Sequence, residues 1–322
     1  MTADRALKRR VRDRARRTGE SYTAALRHLR PPPGAKVPTT SPTSLRLAVA
    51  QTTHHTDPRD TEALRALGVE IRALMHQASV AGADLIQFPE GTLCFPDKRL
   101  LSRDPDQLSE ADWTRFPWLV LDDEIIRIRA LAAKLRLWTV LGAQQRAGSD
   151  RGGDGGRPTT SLLIIDPAGE VVGRYDERIL SRSKQAYLYA AGTESVVIEV
   201  NGLRLGFTSG LEVLFPALFS DYEEQGVDAV LFSTAGPADP AEADSLSSSA
   251  RTHALQCGLW VGYAVPSDKA PYAAAGILAP GGEWVARCPD EAIPAIAVAD
   301  VTPRPEHPGR TWRRTMLQAL AD

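Results

Sequence analysis

Cysteine is scarce in this chain: three residues, Cys94, Cys257 and Cys288, among 322. Their wide separation excludes a disulfide framework and a cysteine-based metal site, and it suits a reducing compartment. No apolar run is long enough to cross a bilayer, and the first thirty residues lack the apolar stretch of a secretory signal. A phosphate-binding loop is missing too: the Gly/Asp/Arg stretch at 148–158 holds no lysine and reads as a hairpin tip. Together these absences predict a cytoplasmic protein with no membrane contact, no metal and no cofactor.

Charge is present but unevenly spread. Eleven Lys and Arg against Asp4, Asp13 and Glu20 give residues 1–36 a net +8, which leaves −10 for residues 37–322 within an overall −2. The acidic body argues against nucleic acid as its partner, while the basic head keeps nucleic acid or an acidic protein open for the N-terminus alone. Residues 1–30 read as a basic helical extension of two short helices with narrow apolar stripes. Residues 31–44 read as a proline-rich linker, residues 45–302 as one large body, and residues 303–322 as a tail.

In the body, apolar strands alternate with amphipathic helices. Strands are expected at Leu45–Gln51, 84–88, 137–142, 203–208, 228–233 and 259–265, and helices at 61–81, 122–136 and 241–257. Pro167-Ala168-Gly169 and Pro280-Gly281-Gly282 mark two hairpins, and a last strand lies at Ala295–Val301. The alternation predicts a mixed, layered α/β domain.

The stretch at 201–217, NGLRLGFTSGLEVLFPA, is the centre of the body. A strand stops abruptly at Ser209-Gly210, and a helix is expected to start near Leu214. Such an elbow can present its turn residue at a pocket mouth. This segment resembles the nucleophile segment of the nitrilase (carbon–nitrogen hydrolase) superfamily, strand–Cys–Tyr–Asp/Glu–x–x–Phe–Pro. Three further stretches support the resemblance in order: LRLAVAQ from Leu45, DLIQFPEG from Asp84 and GRYDERIL from Gly173. It spans about residues 45–302.

The resemblance implies a four-layer αββα sandwich, usually a homodimer or larger assembly formed through the outer helices. It also implies chemistry in which a glutamate activates a thiol, the thiolate attacks an amide or nitrile carbon, and a lysine stabilises the oxyanion. Carried over residue by residue, Glu90 takes the place of the base. Glu177 stands at the lysine position and Gly210 at the cysteine position, while Gln145 falls near the second glutamate. Glu212 matches the acid just past the elbow. Ser209, Thr208 and Cys94 are the neighbours able to offer a substitute nucleophile or binding group, and His54 and His55 the residues able to line a pocket mouth. Two carboxylates, Glu90 and Glu177, would then share one site, so one should keep a proton or a cation should join them.

The expectation is an inactive homologue whose remnant pocket still takes a small-molecule ligand in a binding, regulatory or assembly role. The alternatives are hydrolysis through a displaced nucleophile or a Glu-activated water, and an adaptor that works through the basic head.

Overall fold

The computed structural model describes residues 43–104, 106–146 and 156–304, with 312, 313, 315, 316 and 319. The stretch expected as basic helices, most of the linker, most of the glycine-rich loop and most of the tail lie outside the described residues.

The first strand shows how this sequence makes layers. In β1 (Leu45–Gln51) every second residue points to the same face of the sheet. Leu45, Leu47 and Val49 accordingly enter the core between two sheets, and Ala48 and Ala50 face helices. The small alanines let a helix pack closely. That helix, α1 (Thr61–Val80), is capped by Asp60, whose side chain accepts from Ala63 N, and it buries Leu64, Leu67, Ile71, Leu74 and Met75 at helical spacing. Fully burying each such aliphatic side chain contributes about 1.5–3 kcal/mol.

Sheet one continues with β2 (Leu85–Gln87), β3 (Trp138–Gln145), β4 (Thr159–Ile165) and β5 (Val171–Asp176), and it is closed at the other edge by β12 (Ala295–Val301). Its order is β12-β1-β2-β3-β4-β5, parallel through β1, β2 and β3 and antiparallel elsewhere. Between its strands lie the short α2 (Lys98–Leu101) and the long α3 (Trp118–Leu135), which covers the outer face beside α1.

Sheet two repeats this plan. It is formed by β6 (Val197–Val200), β7 (Leu203–Ser209), β8 (Ala229–Ser233), β9 (Trp260–Ala264), β10 (Gly276–Leu278) and β11 (Trp284–Arg287), in the order β11-β10-β9-β8-β7-β6 with β7, β8 and β9 parallel. Outside it lie α4 (Pro216–Glu224) and α5 (Ala243–Cys257), with a short α6 (Ala270–Ala273) after β9. The whole is a four-layer αββα sandwich, as the resemblance implied.

The helix expected from Leu214 starts later. Gly210–Leu214 is a tight 3₁₀ turn, and α4 begins at Pro216, which is suited to a first helical turn because it has no N–H to leave unpaired. Among the described residues no helix is long and apolar enough to cross a membrane.

Candidate active site

The parallel strands of both sheets end on one side of the sandwich, the place where open α/β sheets offer a crevice. A pocket of about 520 Å³ opens there, and Glu90, Lys184 and Gly210 line it.

Glu90 arrives just past β2. Gln87 on that strand donates to the carbonyls of Phe232 (2.8 Å) and Gly262 (3.2 Å), and Ser233 Oγ donates to Phe88 O at 2.8 Å, so the strand end is tied to sheet two. Gly142 on β3 makes the next step sterically feasible: a Cβ there would lie 2.1 Å from Pro89 O, so only glycine lets the Pro89–Gly91 loop cross. Glu90 ends up buried, with Oε1 meeting the Lys184 ammonium and Oε2 accepting from Ala235 N at 3.2 Å.

Glu177 follows β5 on the same face as Tyr175, towards the other sheet. Its backbone N–H donates to Thr160 O (3.1 Å), and its carbonyl accepts from Gly192 N (2.8 Å). Oε2 accepts from Lys184 Nζ at 2.6 Å. Oε1 has no partner and packs on the elbow: a Cβ built on Gly210 would sit 2.3 Å from it and 3.2 Å from Lys184 Nζ. Gly210 itself has φ +60°, a left-handed conformation that strains any residue with a Cβ. The carboxylate therefore fills the space in which a side chain at position 210 would lie.

Lys184 is the residue that sequence reading missed. It comes from a π-helical turn, Lys184–Leu188, seven residues past Glu177, and is buried between the two carboxylates. It is the cation that two carboxylates in one site demand. Burial works against its ammonium, but Glu177 and Glu90 outweigh that and raise its pKa. Burial is also the main reason that the Glu177 carboxyl is pushed up to about 8; Glu90 adds to the rise and Lys184 opposes it. The one signal available in sequence was scarcity, since the chain holds six lysines against 32 arginines. Three of the six, Lys98, Lys184 and Lys269, line this pocket.

Several expected site residues lie elsewhere. Gln145 shares the β3 face of Leu141 and Ala143, towards α3, where it lines a groove with Asp122 and Ile125. Gln144 points the other way, is buried, and donates to Cys94 O at 2.8 Å. Cys94 belongs to the helix-side core, where burial pushes its thiol up to about 12, and it does not line the pocket. Nor do Ser209 and Glu212. Glu212 is a buried clamp: it accepts from the N–H groups of Ser209 (2.8 Å), Arg178 (2.6 Å) and Ile179 (3.1 Å) and from the Tyr175 hydroxyl, joining the elbow to the Glu177 segment. Thr208 is buried, and its hydroxyl makes no hydrogen bond. His54 does line the pocket, with Nδ1 3.2 Å from Asp268 Oδ2, while His55 does not line it. Among the described residues no group of three or more His, Cys, Asp and Glu is placed to hold a metal ion.

The raised Glu177 carboxyl makes stability depend on pH. Between the ordinary value of 4.5 and about 8 the folded chain holds a proton that the unfolded chain has lost, so this group destabilises the fold as pH rises through that window. Each pH unit of the window is worth about 1.4 kcal/mol, or roughly 2–4 °C in Tm. Glu177→Gln keeps the shape without the ionisation. Its Tm relative to wild type is expected to be higher at pH 9 than at pH 5, as measured by calorimetry. Parallel Tm curves across that range would show that Glu177 does not titrate there.

Two sheets packed face to face under outer helices, with a Glu–Lys pair beside a strand-end elbow, define a nitrilase-type αββα protein. The chain belongs to the carbon–nitrogen hydrolase family, whose model matches residues 46–306. A Mycobacterium tuberculosis (strain H37Rv) protein named Hydrolase Rv0480c is 25% identical over 277 residues, which cover 80% of this chain and 89% of that one. Among solved structures, the C. elegans NitFhit protein superposes with a TM-score of 0.66 at 20% identity, over 87% of this chain and 65% of its own. A mutant of Nesterenkonia AN1 amidase from the nitrilase superfamily gives 0.63 at 18% identity, over 86% and 97%. At such identities the two structures speak for the fold alone.

Proposed function

We propose that this family member does not carry out thioester-based hydrolysis and that its pocket serves to bind a small molecule. One observation carries the reading: the Glu177 carboxylate lies against Gly210, 2.3 Å from where a Cβ would stand, so the nucleophile's place is both empty of sulfur and closed. Loss of a nucleophile costs on the order of 10⁴–10⁶ in rate. Glu90 remains at the base position and Lys184 brings a cation to it from another segment, but neither can form an acyl intermediate in this geometry. Lys184 is held as an ammonium between two carboxyl groups, and both Glu90 oxygens are engaged.

The test is incubation of the full chain with a panel of amides, nitriles and activated esters. Ammonia release is read for turnover, and intact mass spectrometry for adducts. The expected result is neither ammonia above background nor a mass gain. A covalent adduct, or turnover that disappears on Glu90→Gln, would reject the proposal in favour of a displaced nucleophile or a Glu-activated water.

A further inference from the structure

The charges around the pocket do not all find partners. Lys184 is matched by Glu90 and Glu177. Lys269 is matched by Asp268 at 2.7 Å, which His54 also meets. Asp97 caps α2, its Oδ1 accepting from Arg99 N at 2.7 Å. Lys98 and Arg99 are left over: among the described residues, neither has an ion-pair partner.

Arg99 is exposed, and its Nη1 reaches only Asp106 O at 3.4 Å. Lys98 is half-buried, and its ammonium donates to the hydroxyl of Ser183. Burial lowers its pKa and the nearby Lys184 ammonium lowers it further, against a smaller opposing pull from Glu90, Asp97 and Glu177, none of which reaches ion-pair distance. An ammonium drawn partly out of water with no anion in direct contact costs free energy that a contacting anion would recover. The apolar wall beside it, formed by Phe95, Leu108, Leu211 and Pro237, offers nothing to a bare inorganic ion but suits a short hydrocarbon chain.

We propose that this pocket binds a small organic carboxylate, with its anionic group held by Lys98 and Arg99 and its chain lying on Phe95, Leu108, Leu211 and Pro237. The proposal rests on the reading of the pocket as a binding site. It assigns the ligand's charge to the two cations on α2, which line the same pocket as Glu90 and Lys184 but make no ion pair with them.

The test is isothermal titration of the full chain at fixed ionic strength with butyrate, butyramide and inorganic phosphate. Wild type is expected to bind butyrate on the order of tenfold tighter than butyramide or phosphate, as removing one charge-assisted contact predicts. Lys98→Ala is expected to weaken butyrate by about tenfold while leaving butyramide within about twofold, and Lys98→Arg to restore most of the loss. Equal binding of butyramide, equal binding of phosphate, an unchanged butyrate affinity in Lys98→Ala, or no butyrate binding to wild type would each overturn the proposal. Ammonia released from butyramide in the same samples would instead strike at the inactive reading, so the two failures are distinguishable.

Discussion

Gly210→Cys alone is expected to yield little acyl-enzyme, and Gly210→Cys combined with Glu177→Ala is expected to yield far more. In the single variant the new Cβ would stand 2.3 Å from Glu177 Oε1, so the carboxylate must swing away in a fully buried site before a thiol fits. A φ of +60° adds backbone strain on the order of 1 kcal/mol. A thiolate would also form in a buried space where burial already keeps the Glu177 carboxyl protonated, which raises the thiol's pKa and lowers the thiolate supply. Removing the Glu177 side chain vacates that space and leaves Lys184 paired with Glu90, so the thiol meets a base and a cation together. With an activated ester and intact mass spectrometry, acylation by the double variant is expected to exceed that of the single variant by about 10²-fold, the scale of one oxyanion or base contribution. Equal acylation would mean that Glu177 does not obstruct the elbow. Glu177→Lys in place of Glu177→Ala should do worse, because a second ammonium would crowd Lys184.

Lys184→Met is expected to be the most destabilising single substitution in the site. It leaves Glu90 and Glu177 buried together without the ammonium that both contact. Breaking a buried ion pair on one side costs about 3–5 kcal/mol, or a fall in Tm of roughly 10 °C for a chain of this size. The deficit should grow with pH, since the variant must either hold extra protons or ionise two facing carboxylates. Adding Glu177→Gln should recover part of the loss, more at pH 8 than at pH 6, by removing the carboxyl that must otherwise take up a proton in the folded state. Calorimetry of the three proteins at pH 6 and pH 8 checks this. A Tm change in Lys184→Met of less than about 2 °C would show that the ammonium is not what holds the cluster.

The fold was legible because its signals are periodic. LRLAVAQ announces a strand with one leucine-bearing face, and 61–80 announces a helix by its Leu/Ile spacing. The elbow and Glu90 were legible because each sits where a strand stops at glycine or proline. The rest depends on side-chain direction and on contacts across the fold. GAQQR offers glutamines of both parities, and a shift of one residue in a strand turns a side chain to the opposite face, so Gln145 was expected where Gln144 points. Lys184 reaches the site from a π-helical turn, which carries no strand or helix period to place it. Glu177 read as a reversal of charge, because sequence order gives no hint that an ammonium seven residues later returns to the same point.

The most direct measurement is a high-resolution crystal structure of the ligand-free wild-type protein at neutral pH, inspected at the elbow. The expected result is the Glu177 carboxyl group packed on the Gly210 backbone with Lys184 Nζ between it and Glu90. An open space above Gly210, with Glu177 turned away and Lys184 released towards the pocket, would contradict it.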